Sequence, residues 1–257
     1  MPAEFAGKVV LVTGAGSGIG QEAALQFADS GALVYAADLN ADGLDETKRK
    51  ASALGASVRT AHVDVSSEDE VSGLLAHIAS EAGRLDVAFN NAGITGGANL
   101  IEDYSMEDFD RVIRVNLRGV FLGMKYELPL MKRTGGGAIV NTASVAALTG
   151  PARMSAYAAS KHGVHGLTRV AAMENAVHGI RVNAVAPGWT ETPMVIANSA
   201  QNPAFAELAR KAIPAKRGGQ PAEVAAAAVW LASSAASYVF GQMLVVDGGM
   251  TIGGFEP

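Results

Sequence analysis

The sequence runs to 257 residues, 49 % of them apolar, with a net charge of −5, five histidines and no cysteine. A chain of that size and composition buries one substantial core, so a single domain over 1–257 is expected, and its interspersed charges offer no basic patch to nucleic acid or to an anionic membrane. The lack of cysteine excludes a disulfide framework and thiolate chemistry and suits the cytoplasm, while Met1 to Lys8 does not read as a signal peptide and no apolar run approaches the roughly 20 residues that span a bilayer.

In chain order, Val9 to Val12 predicts a first strand that feeds the turn Thr13 to Gly20 and a helix from about Gln21. Leu33 to Tyr35 predicts a second strand, closing at Asp38 and Leu39, and Val58 to Val63 a third, followed by Asp64 and Val65. Ser67 and Glu70 are placed for a capping box before Val71, Leu74, Leu75 and Ile78. A fourth strand, Val87 to Phe89, runs into Asn90, Asn91, Ala92 and Gly93, and a helical stretch extends from Met106 to Lys132. A fifth, Ala138 to Val140, runs into Asn141, Thr142, Ala143 and Ser144, and an alanine-rich helix spans Ala156 to Ala176. A sixth strand, Ile180 to Val185, precedes Pro187 to Pro221, where prolines at 187, 193, 203, 214 and 221 predict a long loop, a substrate lid over about 188–220. A helix over Pro221 to Ala236 and a seventh strand at Leu244 to Val246 complete the chain. Continuous apolar strands separated by helix-length crossovers predict an α/β, doubly wound parallel sheet with helices on both faces.

The glycine turn reads T-G-x-x-x-G-x-G, with Gly14, Gly18 and Gly20 at the glycine positions and Ser17 and Ile19 between them. Glycines let backbone N–H groups approach a pyrophosphate at the positive end of a helix, although they also serve a close-packed strand-to-helix turn. Asp38 lies where a carboxylate accepts from both adenosine ribose hydroxyls, or alternatively caps the helix after Asn40. Its charge, with no Arg or Lys in the turn or just after Asp38, favours NAD(H) over NADP(H). Asp64 reads equally as an acceptor near adenine and as a turn residue before Ser66. Asn91, Ala92 and Gly93 end a strand in the same crevice. Tyr157 and Lys161 are four apart, one turn along one helix face, and the fifth strand delivers Ser144 to meet them.

In these motifs, from Thr13-Gly14 through Asn116, Ser144, Tyr157, Lys161 and Pro187-Gly188 to Asp247-Gly248-Gly249, the sequence resembles the short-chain dehydrogenase/reductase family along essentially its whole length. The resemblance implies a seven-stranded Rossmann-like sheet and a catalytic tetrad of Asn116, Ser144, Tyr157 and Lys161. In it Asn116 holds a water that links Lys161 to solvent, while Thr190 and Thr192 contact the nicotinamide carboxamide or a phosphate. Tyr157, with an ordinary pKa near 10, has to be lowered to take a proton from an alcohol, and a cation about 4 Å away in an effective dielectric near 20 supplies about 4 kcal/mol. Lys161 is expected to do this and also to bind the nicotinamide ribose, with Ser144 holding the substrate oxygen.

The expected reaction interconverts a secondary, alicyclic or otherwise hydrophobic alcohol and its ketone, with Ile94, Val145, Ala146, Met154, Trp189 and Met194 as candidate pocket residues. The alternatives are an NADPH-dependent 3-oxoacyl reductase, a non-catalytic dinucleotide-binding module, and redox-neutral chemistry such as halohydrin dehalogenation. The histidines lack metal-ligand spacing, so no metal is expected. Met124, Met131 and Met173 read as core filler. The resemblance further implies a homotetramer, with a homodimer as the alternative, and a separate expectation is that the tail Gly253 to Pro257 lies on a neighbouring subunit's pocket.

Overall fold

The structure is a computed structural model that describes residues 4–201 and 203–252. Seven parallel strands form one sheet: β1 (Val9–Thr13), β2 (Leu33–Asp38), β3 (Val58–His62), β4 (Val87–Asn90), β5 (Gly137–Thr142), β6 (Ile180–Pro187) and β7 (Met243–Val246). Their order is β3-β2-β1-β4-β5-β6-β7. It reverses between β1 and β4, where Val12 lies opposite Ala36 on one side and Phe89 on the other. A crevice opens beyond the strand ends at such a reversal, because crossovers leave it in opposite directions.

Strand alternation divides the core. Val10, Val12, Val34 and Phe89 face helices α1 (Gly18–Asp29), α2 (Ala41–Ala53) and α9 (Pro221–Ala232), meeting Phe27, Leu44 and Val229. Leu11, Tyr35, Ala88 and Ile139 face the other way, towards α3 (Glu68–Ala82), α5 (Gly119–Arg133) and α6 (Ser155–Asn175), meeting Leu74, Ile78, Met131 and Val164. Each large side chain buried in this way contributes roughly 1.5–3 kcal/mol. Met124 and Met131 are core filler as expected, but Met173 is 83 % exposed, because its position on α6 faces away from the sheet.

Helix ends follow their residues with two departures. Ser67 Oγ accepts from Glu70 N, whereas the Glu70 carboxylate accepts from Asp64 N at 2.8 Å, so half of the expected capping box forms and the other half ties down the segment after β3. The Met106-to-Lys132 stretch is α4 (Met106–Ile113), a π-helical turn at Arg114–Arg118, and α5.

The segment after β6 is less irregular than its prolines suggest. It holds α7 (Pro193–Gln201) and α8 (Pro203–Ala212), each starting on a proline. Proline suits the first helical position, where its missing N–H has no partner to lose. The tail from 253 lies outside the described residues, so the structure does not bear on its expected placement. Among the described residues no helix is long and apolar enough to cross a membrane.

Candidate active site

Glycine sets the local shape of the turn after β1. Gly14 has φ 67°, and a Cβ there would lie 2.8 Å from Ala92 Cα; a Cβ on Gly20 would lie 2.1 Å from Gly14 O. Gly20 thus packs α1 against the turn and does not line the cleft. Ser17, in extended conformation, precedes α1 without a side-chain cap, and the first turn carries no acid, so the positive helix end stays open towards the cleft.

Asp38 closes over this turn. Its Oδ2 accepts from Gly16 N at 2.8 Å and its Oδ1 from Asn40 N at 2.8 Å. The cap of α2 is Asn40, whose Oδ1 accepts from Gly43 N at 3.1 Å, so the structure decides against Asp38 as that cap. Asn91 binds the turn from the β4 side, its Nδ2 donating to Thr13 O and Gly14 O at 3.2 and 3.3 Å. Asp64 Oδ1 accepts from Ser66 N at 2.8 Å, as its turn reading expects, and the residue lines the cleft.

At the other end of the cleft stand Ser144, Tyr157 and Lys161. Ser144 follows β5 and accepts from Ala146 N at 3.1 Å, and its side chain stands beside the Tyr157 phenol. Lys161 Nζ lies 5.6 Å from the Tyr157 ring centroid and donates to Thr142 O at 2.7 Å. Burial pushes the Tyr157 phenol above its ordinary value, with the neighbouring Ser144 side chain opposing, and burial pushes Lys161 down to about 8. Lowering of the phenol by Lys161 is therefore not a property of these side chains by themselves. As they stand, Tyr157 holds its proton.

Asn116 sits in the π-helical turn with its amide taken up: Oδ1 accepts from Ile94 N at 2.8 Å, and Nδ2 donates to Ile94 O at 2.8 Å and Ser160 Oγ at 3.2 Å. It clamps the chain after Gly93 and does not line the cleft. A π-turn widens the helix by one residue, which is how a buried polar side chain comes to be aimed at that strand end.

The cleft encloses about 370 Å³. It is lined by Gly14, Ser17, Gly18, Ile19, Asp38, Leu39, Asp64, Val65, Asn91, Ala92 and Gly93, and by Ile94, Ser144, Tyr157, Lys161, Pro187, Gly188, Thr190, Thr192 and Met194. Four expected pocket residues lie outside that lining. Val145 and Ala146 are buried in the short helical turn after Ser144, Met154 precedes α6, and Trp189 donates from Nε1 to Glu191 Oε1 and stacks under Arg210. Sequence reasoning missed Val63, Thr95, Val115, Thr142, Ala143 and Val195. Thr142 and Ala143 lie at the end of β5, so strand-end position was signal enough for them; Val63, Thr95 and Val195 each adjoin a residue already singled out, and Val115 depends on the π-turn, which has no sequence signature.

A dinucleotide fits this donor set. An open helix end and close backbone at Gly14 suit a pyrophosphate, a carboxylate at Asp38 suits ribose hydroxyls, and apolar walls at Leu39, Val63 and Val65 suit a flat base. With a serine, a tyrosine and a lysine at the far end, fold and site define an oxidoreductase of the nicotinamide-dinucleotide class.

Residues 14–251 match the family model described as enoyl-(acyl carrier protein) reductase. Cyclohexanol dehydrogenase of Acinetobacter sp. is 43 % identical over 251 residues, with 98 % of each chain covered. A 3-oxoacyl-(acyl-carrier-protein) reductase of Thermotoga maritima is 43 % identical over 248 residues, covering 96 % of this chain and 98 % of the relative. The crystal structure of levodione reductase superposes with a TM-score of 0.93 at 41 % identity, covering 96 % of this chain and 99 % of that one. The chain belongs to the short-chain dehydrogenase/reductase family.

Proposed function

We propose that the protein is an NAD(H)-dependent dehydrogenase/reductase that interconverts a secondary alicyclic alcohol and its ketone. The observation that carries this reading is one cleft with Asp38 at one end and Ser144, Tyr157 and Lys161 at the other. Ile94, Val115, Met194 and Val195 make its walls apolar, and among the described residues Lys161 is the one cationic side chain in its lining, already bound to Thr142 O, which suits an uncharged ring more than an acid or phosphate ester. Relatives named for cyclohexanol and levodione support the same class.

A bound nicotinamide ring supplies the acceptor or donor of hydride. The chain's own groups handle the proton: in ketone reduction the Tyr157 phenol donates it to the oxygen that becomes the hydroxyl, and in oxidation the phenolate takes it back. Ser144 fixes that oxygen and stabilises the charge that develops on it. Lys161, anchored at Thr142 O, supports the phenolate electrostatically and binds ribose hydroxyls, and Asn116 holds the chain after Gly93 beside it.

Asp38 supports NAD(H), because a carboxylate whose oxygens already accept from Gly16 N and Asn40 N cannot turn away to admit a 2′-phosphate. The 188–220 segment covers the site through Thr190, Thr192, Met194 and Val195. Assembly as a homotetramer is supported by exposed apolar side chains: Phe121 on α5, Val170 and Met173 on α6 with Val177 just beyond it, and, elsewhere, Trp230 and Tyr238. The function is tested by following NADH absorbance with cyclohexanol and substituted cyclohexanones. Turnover lost by a factor of about 10²–10⁴ in Tyr157→Phe supports the proton role, and full turnover in that variant would defeat it.

The Thermotoga relative favours a second reading, reduction of a 3-oxoacyl thioester, with NADPH as the dinucleotide that reading expects. Tighter binding of NADPH than NADH, with turnover of an acetoacetyl thioester exceeding that of cyclic ketones, would decide for it.

A further inference from the structure

Glu127 lies on α5 and is fully buried. Its Oε2 accepts from Asn90 Nδ2 at 3.1 Å, and its Oε1 has no hydrogen-bond partner. It lines a small internal cavity together with Leu11 and Thr13 of β1, Val63 and Val65, Val71, Leu74 and Leu75 of α3, and Val115. None of those groups is titratable. Of the charges on elements packed against α5, Glu68 of α3 pairs with Lys125 at the surface, and Lys161 of α6 gives its ammonium to Thr142 O. With one hydrogen bond and no facing cation among the described residues, an ionised carboxylate is costly in such surroundings, and the neutral acid is much less so.

Asn90 and Asn141 are paired across β4 and β5. Asn90 Nδ2 also donates to Asn141 Oδ1 at 3.1 Å, and Asn141 Nδ2 to Thr168 Oγ1 at 3.0 Å. The very next residues serve the cleft: Asn91 holds the glycine turn and Thr142 O holds Lys161.

We propose that Glu127 is a positioning residue kept as the neutral carboxylic acid, which through Asn90 and Asn141 sets the paired ends of β4 and β5 from which Asn91 and Lys161 are held. Burial pushes its carboxyl up to about 8. The folded protein therefore binds one more proton than the unfolded chain between the ordinary carboxylate range and about pH 8, and stability falls as pH rises through that window.

Urea unfolding of wild type and Glu127→Gln between pH 5.5 and 8.5 tests the neutral acid and needs no substrate, so it stands apart from the alicyclic reading. The wild-type folding constant is expected to fall relative to that of the variant by roughly tenfold per pH unit. Parallel curves would overturn the proposal. For the positioning role, kcat is measured against pH with an alcohol that the wild type oxidises. Glu127→Gln, which keeps an acceptor for Asn90 Nδ2, retains the wild-type kcat below about pH 8 and the KM for the dinucleotide. Glu127→Leu, or Glu127→Met where the leucine variant does not fold, lowers kcat and moves its pH midpoint. An apolar variant with wild-type kcat and midpoint, or a glutamine variant as impaired as the apolar ones, would defeat that role.

Discussion

Lys161 gives its ammonium to the carbonyl oxygen of Thr142, 2.7 Å away, and is thereby fixed to the end of β5 with the Tyr157 ring centroid 5.6 Å off. Position is set by backbone, so the charge stays where chemistry needs it whatever Tyr157 does. The arrangement costs stability. Lys161 falls to about 8 on burial, so the unfolded chain holds the proton more tightly; the penalty is full at neutral pH and is relieved as pH rises from about 8 towards the ordinary lysine value. A fall of that size corresponds to roughly 3 kcal/mol, of which loss of a donor for Thr142 O returns about 1–2. Lys161→Met should thus abolish turnover while raising stability at pH 7 by on the order of 1 kcal/mol. The gain should shrink above pH 8; urea unfolding that shows the variant less stable than wild type at pH 7 refutes the argument.

On the proposed NAD(H) reading, the hydrogen-bonded Asp38 carboxylate governs the choice of dinucleotide. Asp38→Ala combined with Leu39→Arg removes the repulsion and adds a cation on an exposed neighbour, Leu39 being 60 % exposed. The ratio of kcat/KM with NADH to that with NADPH should drop by at least about 100-fold, since both an attraction and a repulsion change sign. Asp38→Ala alone should weaken both cofactors somewhat, because Gly16 N loses a charge-assisted bond of about 1.5–3 kcal/mol that shapes the turn. An unchanged ratio in the double variant would place cofactor choice elsewhere.

Features with a local chemical signature were legible in the sequence. Apolar runs marked the seven strands to within a few residues, and glycines, Asp38, Ser144, Tyr157 and Lys161 converge because strand ends in this topology share one crevice. What was not legible depends on tertiary surroundings. Prolines at 193 and 203 read as interruptions but begin helices, as residue type alone does not say on which side of a proline the helix lies. The π-turn that aims Asn116 at Ile94 has no residue pattern of its own. Glu127 lies between Tyr126 and Leu128 in a helix, where an acid ordinarily faces water, and only packing against Asn90 reveals it as buried.

Gly20 and Gly150 make a paired test of the glycine turn. A Cβ at Gly20 would sit 2.1 Å from Gly14 O, a backbone atom that cannot swing aside, whereas one at Gly150 meets nothing within 4 Å. Gly20→Ala should destabilise by at least about 3 kcal/mol and weaken dinucleotide binding with it, while Gly150→Ala should stay within about 1 kcal/mol of wild type. Equal stabilities in urea for the two variants would mean that α1 can slide away from the turn, and that the turn is less rigid than its contacts imply.

Arg181 of β6 makes the last prediction. Its Nη1 donates to Leu231 O and Ala236 O at 2.5 and 3.1 Å, and its Nη2 to Ala232 O and Ser233 O at 2.9 and 3.0 Å. These carbonyls belong to the end of α9 and the turn after it, where helix geometry leaves acceptors unpaired and partial negative charge gathers. Burial pushes the guanidinium below its ordinary value without a carboxylate to offset it, so the carbonyls are what it binds. Arg181→Met fills much of the volume but strands several acceptors, and should cost about 2–4 kcal/mol. Arg181→Lys keeps the charge but cannot span four oxygens with one ammonium, and should fall between. Amide exchange should rise first at 232–239, since the α9 end is what the guanidinium ties to β6. A methionine variant less than about 1 kcal/mol below wild type, with exchange there unchanged, would show that water satisfies those carbonyls as well as Arg181 does.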